Sequence, residues 1–314
     1  MRKCFATLIL MSLAALWVVL PATAADKPAG KVKAFVSILP SAYFVERVGG
    51  PYVEVSVLVG PGQDPHSFEP TPKLVARLAD AKVLFKMGFP FEETIIKKMG
   101  STFKNVEVVD LQQGIKLRTM TEEEAEAEEA EHEHGHGHGE AEEHEHEAGE
   151  MDQHTWLDPQ LARIQAQTIA DTLIRIDPSH RAQYEENLRA FQADLDAVHE
   201  QLKKALTAVK GKSFFVFHPA YGYFGDAYGL KQVPVQIGGK EPTAKQLARL
   251  IDLAKEDEVK VIFVQPQFSK KSAETLAKSI GGAVVPLDDL APDYLKNLQE
   301  MAVKLDSALR VQKE

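Results

Sequence analysis

Two hydrophobic rhythms alternate along this chain. Short apolar runs at 32–39 (VKAFVSIL), 53–59 (VEVSVLV), 83–86 (VLFK) and 106–109 (VEVV) are rich in β-branched residues and predict strands. Between them, a helix is predicted from about residue 72, with Thr71 as its cap and Pro72 at its first position, and a second over FEETIIKKM at 91–99. The rhythm resumes later with FFVF at 214–217, KQVPVQI at 231–237, VIFVQ at 261–265 and AVVPL at 283–287. Thr243 and Gln246 form a capping box for a helix to about 257; further helices are predicted over 269–280 and 293–311. Strand and helix in alternation predict parallel sheets covered by helices. No repeat of fixed period is visible.

A longer pattern joins the two series. Asp158-Pro159 starts one helix and Asp177-Pro178 another. In the second, Tyr184, Leu188, Phe191, Leu195, Val198, Leu202 and Ala205 recur at alternating spacings of four and three, a single apolar stripe. The fold class expected is therefore α/β: two parallel-sheet lobes joined by one long rigid helix. The N-terminal lobe covers 25–177, the connecting helix 178–210 and the C-terminal lobe 211–314.

Residues 1–24 stand apart. Met1-Arg2-Lys3 is a short basic start, residues 4–20 are apolar without a charge, and Ala22-Thr23-Ala24 offers a small-residue cleavage site. This pattern reads as a secretory signal peptide and predicts export, with a periplasmic mature protein. The single cysteine, Cys4, falls inside it. A mature chain without cysteine has no disulfides, and any metal site in it must use His, Asp or Glu.

Charge isolates one more segment. The net charge is −10, yet residues 122–150 alone hold fourteen glutamates and no lysine or arginine, so the remainder is close to neutral. No basic stripe suggests a nucleic-acid partner. From 120 to 151 the chain is Glu, His, Gly and Ala with almost nothing to bury, which predicts a disordered loop. Six of the eleven histidines lie in it: His132, His134, His136, His138, His144 and His146. Such a run offers several weak, overlapping metal sites.

Five histidines remain. His180 and His199 sit among charged neighbours on the long helix and read as surface residues. His66, in GPGQDPHSFEPTP, lies in a loop after a strand; His154, in MDQHTWLDP, precedes a capped helix; His218, in FFVFHPAYGYF, follows an apolar strand directly. Ligands of parallel sheets bind where strands end at their carboxyl edge. Asp288, in VVPLDDLAPDY, also meets that condition, although it and Asp289 serve equally as helix caps. Three imidazoles and one carboxylate make a tetrahedral zinc set.

At these residues the sequence resembles a known family. GQDPHSFEPTPKLVARLADAKVLFKMGFPFEE, HTWLDPQLA, FFVFHPAYGYFGDAYGL and VVPLDDLAPDYLKNL look like the metal-binding solute-binding proteins of ABC importers, in their ZnuA-type zinc branch. The likeness runs from about residue 33 to the C-terminus. It implies two α/β lobes bridged by a rigid helix, with Zn²⁺ bound in the cleft between them. It carries ligand roles onto His66, His154 and His218 and, with least support, onto Asp288, since relatives read DPL where this chain has Asp288-Asp289-Leu290. A His/Glu-rich segment before the second ligand is also a feature of zinc members.

The expectation is a monomeric, non-enzymatic periplasmic carrier that captures Zn²⁺ and delivers it to a cognate ABC permease in the inner membrane. The alternatives are a manganese or iron carrier of the same fold, an exported zinc buffer, and a zinc hydrolase. No HExxH motif or nucleophile elbow supports the last.

Overall fold

The computed structural model describes residues 30–100, 104–121, 124, 151–236 and 242–310. The signal-peptide prediction and the six histidines of 132–146 fall outside these residues. Among the described residues, no helix is long and apolar enough to cross a membrane.

The first sheet is built from β1 (Val32–Val36), β2 (Val53–Val57), β3 (Val83–Lys86) and β4 (Glu107–Asp110), in the order β2-β1-β3-β4. The second uses β5 (Ser213–Val216), β6 (Lys231–Pro234), β7 (Val261–Val264) and β8 (Ala283–Pro286), in the order β6-β5-β7-β8. All pairings are parallel. The two orders are the same, first strand inside and second at the edge. The structure thus holds a repeat of topology where the sequence holds none of period. The central strands β3 and β7 are almost wholly buried, whereas the edge strands β2 and β8 are partly exposed. This is the expected pattern for strands covered by helices on both faces, with the sheet edge partly open.

The flanking helices are α1 (Leu39–Gly49), α2 (Pro72–Leu78), α3 (Pro90–Met99), α4 (Pro159–Ile176), α5 (Arg181–Leu206), α6 (Gly222–Tyr228), α7 (Ala244–Glu256), α8 (Lys271–Ser279) and α9 (Tyr294–Arg310). The predicted caps are in place. Thr71 accepts from the Leu74 amide, Asp158 from that of Gln160, and Thr243 and Gln246 close a capping box. Two helices went unpredicted. α1 begins inside the run expected as a strand to residue 39, and α6 occupies the glycine- and aromatic-rich YGYFGDAYG.

The connecting segment is helical throughout but not uniformly α. A 3₁₀ turn (Pro178–His180) leads into α5, and a second (Thr207–Val209) follows it. Its buried stripe is the predicted one, except that it ends at Leu206 rather than Ala205. Leu188, Phe191, Leu195 and Leu202 share one core with Phe44 and Val36 of the first half and with Phe214, Leu298 and Met301 of the second. Phe44 of α1 meets Tyr294 of α9 edge to face at 4.7 Å, so the two halves also touch directly beside α5. Residues Lys31–Glu314 accordingly form one contact unit.

Candidate metal centre

Both sheets end their strands toward the same place. After β2, the amides of Leu58 and Val59 still pair with Val36 and Ser37, and the chain then enters the loop of Gln63–Pro70. Within it, Asp64 accepts from the His66 amide at 3.0 Å and from the Ser67 hydroxyl at 2.7 Å, which fixes the turn that carries His66. Asp152 does the same for His154: its Oδ1 accepts from the His154 amide at 2.9 Å. The two turns share an Asp-x-His spacing, Asp64-Pro65-His66 and Asp152-Gln153-His154, a signal that the sequence reading missed. His218 sits two residues past β5. The side chain of Gln265 clamps its backbone on both sides, donating to its carbonyl at 2.7 Å and accepting from its amide at 3.2 Å.

These loops bring three imidazoles together. His66 Nε2 and His154 Nε2 are 3.3 Å apart, and His154 Nε2 and His218 Nε2 are 3.1 Å apart. One nitrogen from each ring lies within 4.8 Å of the others, and among the described residues no other group of three or more His, Cys, Asp or Glu is so placed. A tetrahedral Zn²⁺ with Zn–N bonds of about 2.0–2.1 Å separates its nitrogens by about 3.3–3.4 Å. The two measured edges come close to that figure. His154 and His218 are buried and His66 half-buried, which leaves one open side. The His66 ring also packs edge-on against Phe89, at 5.5 Å.

The electrostatics favour a cation. His154 Nδ1 faces Asp152 Oδ1 at 2.8 Å, and Asp152 is fully buried. With Nδ1–H donated to that carboxylate, the Nε2 lone pair is left toward the other rings, the arrangement in which a metal-ligating His is oriented and made more basic. Burial, then the neighbouring His66 and His154, pushes the His218 pKa well below the ordinary imidazole value, so the ring stays neutral and its lone pair available.

The structure separates the two adjacent aspartates. Neither belongs to the three-imidazole cluster; Asp288 Oδ1 accepts from the Leu290 amide at 2.9 Å, a local turn rather than the expected helix cap, since α9 begins only at Tyr294, and Lys304 is the charge acting on it. Asp289 is the buried one. Its carbonyl accepts from Trp156 Nε1 at 2.7 Å, its Oδ1 from Gln267 at 2.7 Å, and His154 is the cation-forming group nearest in effect. Burial raises its pKa to about 7. The expectation that Asp288 completes the ligand set finds no support in this geometry.

His180 and His199 take no part in the cluster, and neither is simply solvated. His180 stacks on Tyr52 at 3.8 Å and bonds Asp177 at 2.6 Å, while His199 bonds the Tyr228 hydroxyl at 3.2 Å.

Twin parallel sheets spanned by one helix, with a trio of imidazoles where their strands end, define a two-lobed protein built around a cation-sized site. Known proteins share this plan. The family model described as zinc-uptake complex component A, periplasmic (ZnuA) matches residues 35–308. The high-affinity zinc uptake system protein ZnuA of Bacillus subtilis is 34% identical over 272 residues, 85% of this chain and 81% of that one. The zinc-binding lipoprotein AdcA of Streptococcus pneumoniae is 31% identical across 98% of this chain, which spans 60% of AdcA's length. A crystal structure of ZnuA superposes with a TM-score of 0.78 at 37% identity, covering 89% of this chain and 99% of that one. A zinc-bound ZnuA deletion mutant gives 0.76 at 37% identity, with 88% and 98% covered. The chain belongs to the ZnuA family of solute-binding proteins.

Proposed function

We propose that this protein captures Zn²⁺ outside the cytoplasm and delivers it to an ABC permease, holding the ion on Nε2 of His66, His154 and His218. Zinc is the ion of the family and of the relatives whose names state a metal. A site of three imidazoles suits zinc better than manganese, which prefers oxygen donors. The observation that carries the reading is the pair of Nε2···Nε2 separations, 3.3 and 3.1 Å, among rings contributed by both halves of the molecule.

The remaining coordination position is left to solvent or to a carboxylate of the Asp288-Asp289 pair, neither of which lies in the three-imidazole group. One open position suits a carrier, because an incoming donor from the permease has somewhere to attack. Periplasmic export through cleavage after Ala24, a monomeric state and a weaker accessory role for the histidines of 132–146 complete the proposal. The lobes are expected to divide as 25–177 and 211–314 about the helix of 178–210.

Zinc titration of the full chain and of a variant lacking residues 125–150 tests this. The truncated protein should keep one tight equivalent. His154→Ala and His218→Ala should each lose it, and His199→Ala should not. Loss of the tight phase on truncation would instead make the protein a buffer whose work is done by the deleted run. Turnover of ester or peptide substrates by the zinc-loaded protein would reassign it as a hydrolase.

A further inference from the structure

Arg118 lies outside the imidazole cluster, yet four residues converge on it. Its Nη1 donates to Asp152 Oδ2 at 2.8 Å, and the other oxygen of Asp152 is the one that faces His154 Nδ1. The same Nη1 lies 3.1 Å from Glu124 Oε2, at the head of the acidic run. Its Nε donates to Asp226 of α6 at 3.1 Å. Its backbone amide donates to the Tyr223 hydroxyl at 2.9 Å, and that hydroxyl in turn donates to the Asp152 carbonyl at 2.9 Å. Glu124 is tied across to the second half as well, accepting from Gln232 at 2.7 Å. Next to this junction, Thr119 and Met151 form an antiparallel bridge, so both ends of the intervening run stand at the foot of the site.

We infer that Arg118 is a positioning residue for zinc capture: by holding Asp152 Oδ2 it fixes the carboxylate that sets the tautomer and direction of the His154 ring, and it anchors that carboxylate to both halves of the protein. The inference rests on His154 being a ligand.

The physical reason is geometric. Asp152 is fully buried, and a buried carboxylate needs its charge and lone pairs met. Its Oδ1 serves the amide and the ring of His154; Arg118 is the cation on its Oδ2. A planar guanidinium meets several acceptors at fixed angles, which a lysine ammonium does not. Gly222 leaves the space it needs: a Cβ there would lie 1.9 Å from Arg118 Nη1 and 2.5 Å from Asp152 Oδ2. Glycine at the first residue of α6 therefore permits the contact. Asp226, at 65% side-chain exposure, and Glu124, at 5%, share the guanidinium.

The test combines zinc affinity with the tautomer of His154 in metal-free protein, read from its imidazole ¹⁵N shifts. Arg118→Gln should weaken tight binding about 10- to 100-fold, the cost usual for losing an outer partner of a ligand. It should also shift His154 away from the Nδ1–H form, with the His218 signals little changed. Gly222→Ala, which displaces the guanidinium while keeping the arginine, should reproduce both effects. His199→Ala, which lies outside this network, should reproduce neither. Arg118→Lys should restore less than half of the lost binding energy. Unchanged affinity and tautomer in Arg118→Gln would overturn the inference. So would a loss of affinity with the tautomer intact, because the residue would then act through the fold alone. Should Arg118→Gln fail to fold, Gly222→Ala decides in the same way. Tight binding that survives His154→Ala would mark a different failure, that of the ligand assignment itself.

Discussion

Glu92 illustrates how a single buried group is kept in this molecule. It is fully buried, accepts from the Met87 amide at 2.8 Å and the Gly88 amide at 2.7 Å, and is bonded by the Ser37 hydroxyl. Gly88 has φ +96°, and a Cβ there would lie 2.4 Å from the Gln153 side chain, so the turn presenting these amides requires glycine. Burial outweighs the three donors and raises the Glu92 pKa to about 7. The sign follows: with a native pKa above its unfolded value near 4.5, the group contributes stability at low pH that is lost as pH rises through about 7. Metal-free protein should therefore lose stability between pH 4.5 and 7.5, on the order of 3 kcal/mol from this residue. Urea melts of Glu92→Gln across that range should show a shallower fall; equal slopes would refute the shift. His218 acts in the opposite direction, since its depressed pKa destabilises the metal-free fold as pH drops below about 6.5. At this scale the candidate ligands were legible because His66 lies in a loop marked by Pro and Gly, His154 just before a capped helix and His218 next to a strand end. Arg118, Gln265 and Gln267 were not, because nothing in their local sequence reveals a partner so distant along the chain, whereas Asp152 was signalled only by its Asp-x-His spacing.

Among the elements, α5 bears the most. A straight α-helix of its 26 residues is about 39 Å long. Its stripe is buried from Tyr184 to Leu206, while its charged side chains face outward. Leu195→Ala, at a fully buried site near the middle, should cost about 2–5 kcal/mol in chemical denaturation. Thr243→Ala, which removes a cap on exposed α7, should cost about 1 kcal/mol. Comparable losses in the two variants would mean that the stripe is not the main support of the fold. The stripe was readable because its spacing repeats over seven residues. α1 was not: its first residues continue an apolar run, and only Pro40 near its start hints at the change. The short α6 holds two glycines, Gly222 and Gly225, so its helical state comes from packing rather than propensity.

For the whole molecule, the connection between the halves decides how zinc acts. α5 shares a core with both sheets, and further ties cross beside it: the Trp156 indole to the Asp289 carbonyl at 2.7 Å and the Tyr294 hydroxyl to the Trp156 carbonyl at 2.5 Å. Wide hinge closure would break these bonds and bare the stripe. Zinc is therefore expected to stabilise the fold without reshaping it. Binding only the native state at one hundred times its dissociation constant adds about 2.7 kcal/mol. For a chain of this size that raises the melting temperature by about 5–10 °C. Calorimetry should show the rise and its loss in His218→Ala. Small-angle scattering of protein lacking 125–150 should show nearly the same radius of gyration with and without zinc, and a contraction of several ångströms would refute the rigid connection.

Alternation of strand and helix, capping residues and a helical stripe are local properties, written in spacings of two to four residues. They were enough for the sequence by itself to determine the α/β class, most element positions and the long connecting helix. The three histidines also stood out locally, by their loops. What tertiary structure alone decided is which groups meet. The shared strand order of the two sheets, the burial of Asp289, and the Arg118–Asp152 contact all depend on residues far apart in sequence. The physical reason is burial: Asp289 and Asp152 differ from other aspartates only because the folded protein removes water from them and supplies particular partners in its place.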